Sequence, residues 1–182
     1  MFTAEVEMEP FSEALQSLQS RVLPAKARQS FLEGLECLQS GDAGAAVEAL
    51  SQSLAHAPDF ASGHLFLGIA HALTSTIYAA IDHLERATQL EPGSFAAHFT
   101  LAQLNFKLRI PQKAYEAAER ARRCIGTLDQ RKMLTQLLKE ERARERNGIA
   151  RPWFNKPFSV PALVVAGGGL VVALIATFMQ MH

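Results

Sequence analysis

The residues with the most chemistry in this sequence are three histidines at helical spacing. His64 and His98 lie 34 residues apart, and His71 follows His64 by seven, two turns of a helix. Imidazoles so placed could converge on a transition metal or a haem. No acidic or cysteine ligand falls at matched spacing, and imidazole also fills a bulky packing position between two helices adequately. The histidines are therefore read as packing residues, with no metal and no cofactor expected. Cys37 and Cys124 stand far apart, without CxxC, zinc or haem-attachment spacing, and suit a reducing compartment. No nucleophile elbow, phosphate loop, dinucleotide fingerprint or HExxH occurs. Glu140 and Glu141 sit among arginines and read as a solvated helix face. No catalytic residue emerges, and the chain is not expected to be an enzyme.

The elements that position these histidines repeat. Pro24, Pro58 and Pro92 are spaced at 34 residues, as are Gly34, Gly68 and Ala102, and Ala46, Ala80 and Ala114. Leu50, Leu84 and Ala118 share the period, and so do Ser53, Ala87 and Ala121. Several columns on one period mark a stacked array of helical hairpins. The small residues fall where helix A of each hairpin must approach helix B, and Pro58 and Pro92 end B helices, because the residue before proline is pushed out of the α region. Each hairpin leaves an apolar face that only its neighbour can cover, so about three are needed for stability.

These columns resemble the tetratricopeptide-repeat (TPR) family, whose period is 34. The resemblance covers 27–128 as three repeats, 27–60, 61–94 and 95–128, the last with Gly126 where proline is expected. It implies an all-α right-handed superhelix of three helical hairpins with flanking helices. Residues 1–26 form an N-terminal segment and helix, with Phe11, Leu15, Leu18 and Val22 in one stripe. Residues 129–146 form a capping helix, entered through Thr127 and Gln130 as a capping box.

In TPR arrays the A helices line a concave surface that binds peptides or helices. Counting by repeat position, the resemblance places a mainly apolar groove on Phe31, Leu35, Leu65, Ile69, Leu73, Phe99, Gln103 and Phe106, with Leu38 beside them. Family members that clamp a terminal carboxylate use Lys, Asn and Arg where this chain has Phe31, Leu35, Phe66, Ala96 and Thr100. Chaperone tails are thereby disfavoured. An amphipathic partner helix or the chain's own N-terminal helix is the expected occupant, while part of the set packs between repeats.

Zero formal charge argues against nucleic acid as a partner. The average conceals a polarity. Residues 1–118 hold 7 Lys/Arg against 13 Asp/Glu, and residues 119–182 hold 11 against 5. Val160–Met181 carries no charge, and about 20 apolar residues cross a hydrocarbon core of roughly 30 Å. A transmembrane anchor is expected over 158–182, after a linker at 147–157. Its flanks, with Arg142, Arg144, Arg146, Arg151 and Lys156 on the N-terminal side, keep the repeat domain cytoplasmic. The same basic run could meet anionic headgroups. Ala162, Ala166, Gly169, Ala173 and Ala176 form a small-residue stripe that lets another helix approach, either a second copy or a foreign span.

The expectation is a single-pass, tail-anchored membrane scaffold, an accessory or assembly subunit that binds a partner protein. The Ala-, Leu-, Gly- and Arg-rich composition favours a bacterial inner membrane over an organelle membrane. Two alternatives stand beside it. Mitochondrial fission adaptors share the plan of a small TPR-like domain and a C-terminal anchor, although their anchors end in basic residues and this one ends Met-Gln-Met-His. A membrane subunit carrying a cofactor on His64, His71 or His98 is the other.

Overall fold

The computed structural model describes residues 23–149. The expected N-terminal helix at Pro10–Val22, the expected anchor at 158–182 and its small-residue stripe lie outside these residues. Among the described residues there are seven α-helices and no strand: α1 Ala25–Ser40, α2 Ala43–His56, α3 Ala61–Leu73, α4 Ile77–Leu90, α5 Phe95–Lys107, α6 Pro111–Arg123 and α7 Leu128–Ile149. They form three consecutive antiparallel hairpins, α1/α2, α3/α4 and α5/α6, followed by α7. No described helix is long and apolar enough to cross a membrane.

The turn inside each hairpin is one geometry used three times. Asp42, Thr76 and Ile110 donate their N–H groups back to the carbonyls of Cys37, His71 and Asn105 at 2.9, 2.9 and 3.0 Å. These six-to-one bonds close the A helices in the Schellman manner. That closure puts the residue just before each donor in the left-handed region: Gly41 at φ 85, Ser75 at 62 and Arg109 at 59. Glycine occupies this conformation freely, whereas Ser75 and Arg109 carry a cost of about 1 kcal/mol or more. The B helices then begin on Asp42, whose side chain accepts from the Ala45 N–H at 3.0 Å, or, in α6, with Pro111 in the first turn.

Between hairpins, Pro58 and Pro92 lie just beyond the ends of α2 and α4, and Ser94 caps α5 by accepting from the Ala97 N–H. The last junction lacks proline. There Gln130 Oε1 accepts from Gly126 and Thr127 N–H groups while Thr127 Oγ1 accepts from the Gln130 N–H at 3.2 Å, a reciprocal capping box that starts α7. That helix runs to Ile149, so 147–149, expected in a linker, are helical.

Packing within a hairpin follows the small columns. A Cβ added at Gly34 would lie 2.6 Å from Leu50 Cγ, and one at Gly68 would lie 2.8 Å from Leu84 Cγ and 3.1 Å from the Ala80 carbonyl oxygen. Ala46, Ala80 and Ala114 are fully buried opposite. In the first hairpin, buried Ser53 also donates to the Ala27 carbonyl across the two helices at 2.8 Å. The chain divides into two compact units, Met1–Glu141 and Arg142–His182. The three hairpins and the first turns of α7 belong to the former.

Candidate protein-binding face

The A helices α1, α3 and α5 carry the residues expected to line a groove, and their burial separates them into two groups. Phe31, Leu35, Leu65, Ile69, Phe99 and Phe106 are all buried core residues. Leu73 is 38% exposed, and Gln103 and Leu38 are half-buried. Six of the eight therefore do not present an open apolar floor. The reason is visible in the rings. Phe31 meets Phe60 edge-on at 4.8 Å and Phe66 at 5.8 Å, which joins the first hairpin to the second. Phe99 stacks on Phe95 at 5.3 Å, and Phe106 meets Tyr115 of α6 at 90°.

The large apolar side chains that remain accessible sit mostly at the turn edge of the hairpins. Tyr78 is 87% exposed at the start of α4, beside Leu73 at the end of α3, and Ile110 occupies the equivalent turn of the third hairpin. Of this edge, repeat position anticipated Leu73 but not Tyr78 or Ile110. Its only sequence signal is Tyr78 three residues after Ser75 and Ile110 directly after Arg109, at the second and third turns.

The face is nearly free of charge over its second and third A helices, whereas α1 carries Lys26, Arg28, Glu33 and Glu36. Helices α3 and α5 together contain one charged residue, Lys107. Binding there would rest on shape and apolar area rather than on ion pairs. Basic side chains collect instead on α6 and α7. Arg122 and Arg123 pair with Glu119 at 2.7 and 3.7 Å, and these partners hold the Glu119 carboxyl below its ordinary range. A cavity of about 300 Å³ opens between Arg122, Ile125, Arg131, Leu134, Thr135 and Leu138.

The histidines divide. His64 Nε2 lies 2.9 Å from the Pro58 carbonyl oxygen, and His98 Nε2 lies 3.0 Å from that of Pro92, the same contact one repeat later. His64 and His71 share a cluster, but through His83 of α4, which the sequence reading did not single out. His64 Nδ1 and His83 Nδ1 are 3.0 Å apart, and the rings of His71 and His83 stack at 5.5 Å within 4° of parallel. His98 stays in its own hairpin. Burial, with His64 and His71 as further positive neighbours and Asp82 opposing, holds the His83 imidazole below its ordinary range. Burial lowers His71 as well. For His98 burial again leads, countered by the bond to Pro92 and reinforced by Arg120. Among the described residues, no group of three or more His, Cys, Asp or Glu is arranged to hold a metal ion.

No protein-family model matches the sequence, and no curated protein matches it. Solved structures do. The TPR2B-domain:pHsp70 complex of yeast Sti1 superposes with a TM-score of 0.63 at 22% identity, over 66% of this chain and 99% of that one. The Sgt2 TPR domain from Aspergillus fumigatus gives 0.61 at 20%, over 72% and 87%. MamA gives 0.54 at 18%, over 78% and 88%. The three hairpins with their 34-residue period, common turn geometry and helical partners of known structure establish a TPR-like fold for this chain.

Proposed function

We propose that this chain is a scaffold that holds a partner protein on its TPR-like array at a membrane surface. The observation that carries the reading is the nearly charge-free surface of α3 and α5, edged by Leu73, Tyr78 and Ile110, on a fold used for ligand binding in the Sti1 complexes. The preferred ligand is an amphipathic helix or apolar peptide. An acidic tail would need cations, and the A helices supply Lys26 and Arg28 at the start of α1 and Lys107 at the end of α5, with none in between. The charge-free segment Val160–Met181 anchors the chain, and the stripe from Ala162 to Ala176 gives a second docking surface within the bilayer. In this arrangement the chain is an accessory or assembly subunit rather than an enzyme.

Photoreactive residues at Leu73 and at Gly169, in the full chain in native membranes, test the proposal. Each is expected to capture a defined foreign protein, and the same complex at both sites would name the assembly. Capture of the chain's own copies alone at both positions would overturn it.

A further inference from the structure

The second hairpin differs from its neighbours in one polar feature, and the protons in it can be assigned. A carbonyl oxygen only accepts, so His64 Nε2 must carry hydrogen to bond Pro58. Neutral His64 then has a bare Nδ1, and the 3.0 Å contact requires His83 Nδ1 to donate to it. His71 Nδ1 engages Thr76 Oγ1 at 2.7 Å, so its ring is held in place as it stacks on His83. The chain Pro58–His64–His83, with His71 above it, ties α4 to α3 from the start of the hairpin to its turn.

Each added proton acts differently on this chain. His83 can take one at Nε2 and still donate to His64. With one added proton shared by the pair either ring can donate, but added protons on both rings would set two N–H groups against each other across 3.0 Å and remove the bond. A charged His71 would stack on a charged His83 at 5.5 Å. The compensating charge nearby is limited. Asp82 acts on His83 from its own helix, while Asp59, in the turn before α3, is engaged by Arg86 at 3.0 Å. Helix α5, packed on the other side of α4, carries His98 and Lys107 as its titratable groups, and helix α2, packed on α3, carries Glu48 and His56; none of these acts on His71 or His83.

The other hairpins lack the device. At the repeat positions of His64, His71 and His83 the first has Ser30, Cys37 and Ala49, and the third has His98, Asn105 and Ala117. We infer that the second hairpin is a proton-operated latch: neutral His64, His71 and His83 hold α4 against α3, and proton uptake by the cluster loosens that hairpin first. This inference does not depend on the identity of any partner. Its sign follows from linkage. His71 and His83 lie below their ordinary value near 6.5, so the unfolded chain binds protons more readily than the folded one. The stabilisation is complete above about pH 6.5 and is lost as pH falls from there through the folded values.

Thermal unfolding of the full chain in mild detergent, from pH 8 to pH 5, compares the wild type with His83→Ala, the residue the other hairpins carry. The wild-type midpoint should be higher at pH 8, fall on the order of 5 °C further than that of the variant on acidification, and meet or cross it. His98 and the histidines outside the cluster, His56 and His182, contribute equally to both. Parallel curves would overturn the latch. Because the variant could fold poorly, ring-nitrogen NMR of the wild type gives a second readout. Hydrogen on Nε2 of His64 and on Nδ1 of His83 at pH 8, with a second ring hydrogen gained by His83 on acidification, supports it; the opposite tautomers at pH 8, or no such gain, refute it.

Discussion

Hairpins α3/α4 and α5/α6 are built on one plan, yet they fill their interiors differently. Where α3 has Gly68, α4 answers with fully buried Leu84; where α5 has Ala102, α6 answers with Ala118, 2% exposed. The first hairpin repeats the Gly34–Leu50 version. The A and B helices thus approach over a small residue in every hairpin, faced by an isobutyl group in the first two and by a methyl in the third. The polar interior divides in the same way. His64 has His83 to complete its hydrogen bonds, whereas Ala117 leaves His98 Nδ1 and Asn105 Oδ1 buried without a hydrogen-bond partner.

The largest test of this contrast is Phe66→Ala. Phe66 is fully buried and meets Phe31 of the preceding hairpin, while the third hairpin has Thr100 at the same position. Removing a buried aromatic costs about 3–5 kcal/mol. Thr100→Ala should cost less than about 1 kcal/mol. Urea unfolding followed by circular dichroism measures both. Equal losses would show that the two junctions do not differ in the way their aromatic contacts indicate.

The approach over small residues is tested next by a double-mutant cycle. Gly68→Ala should destabilise by about 1–3 kcal/mol, because the new methyl meets Leu84 at 2.8 Å and a backbone oxygen at 3.1 Å. Leu84→Ala alone leaves a cavity. The pair together recreates the Ala–Ala solution of the third hairpin and should lose less than the sum, with a coupling of about 1–2 kcal/mol. Additivity would mean that the Gly68–Leu84 contact is not the constraint on helix approach.

Much of this was legible in the sequence, because the period aligns columns. Pro58, Pro92 and the small residues at 34, 68 and 102 placed the three hairpins, and Thr127 with Gln130 placed the start of α7. What a column hides is anything a single repeat does alone. His83 has alanine in both other repeats, so no recurrence marked it, and its partners lie 12 and 19 residues away on the opposite helix. Ser75 and Arg109 share the left-handed turn of Gly41 without the glycine that would announce it. For the groove, repeat position picked out a mainly apolar set of A-helix residues but did not separate the covered Leu65 and Ile69 from the exposed Leu73. That distinction depends on neighbouring helices rather than on local pattern.

The smallest effect, and the one that best sharpens the comparison, is Ala117→His. It would give the third hairpin the imidazole that the second has at this position. His98 donates through Nε2 to Pro92, so its buried Nδ1 is a bare acceptor. A ring nitrogen bearing hydrogen at position 117 could complete that bond as His83 completes His64. The expected gain is about 1 kcal/mol at pH 8, read as a shift in urea midpoint. It should shrink below about pH 6.5, since the added pair is also stable only when neutral. Ala117→Leu supplies comparable bulk without a donor and should give no such gain. If leucine stabilises as much as histidine, the site wants volume alone, and the second hairpin's histidine chain is a filled space rather than a hydrogen-bonded one. If neither substitution helps, the two interiors differ in shape as well as composition, and the contrast between them begins in the backbone.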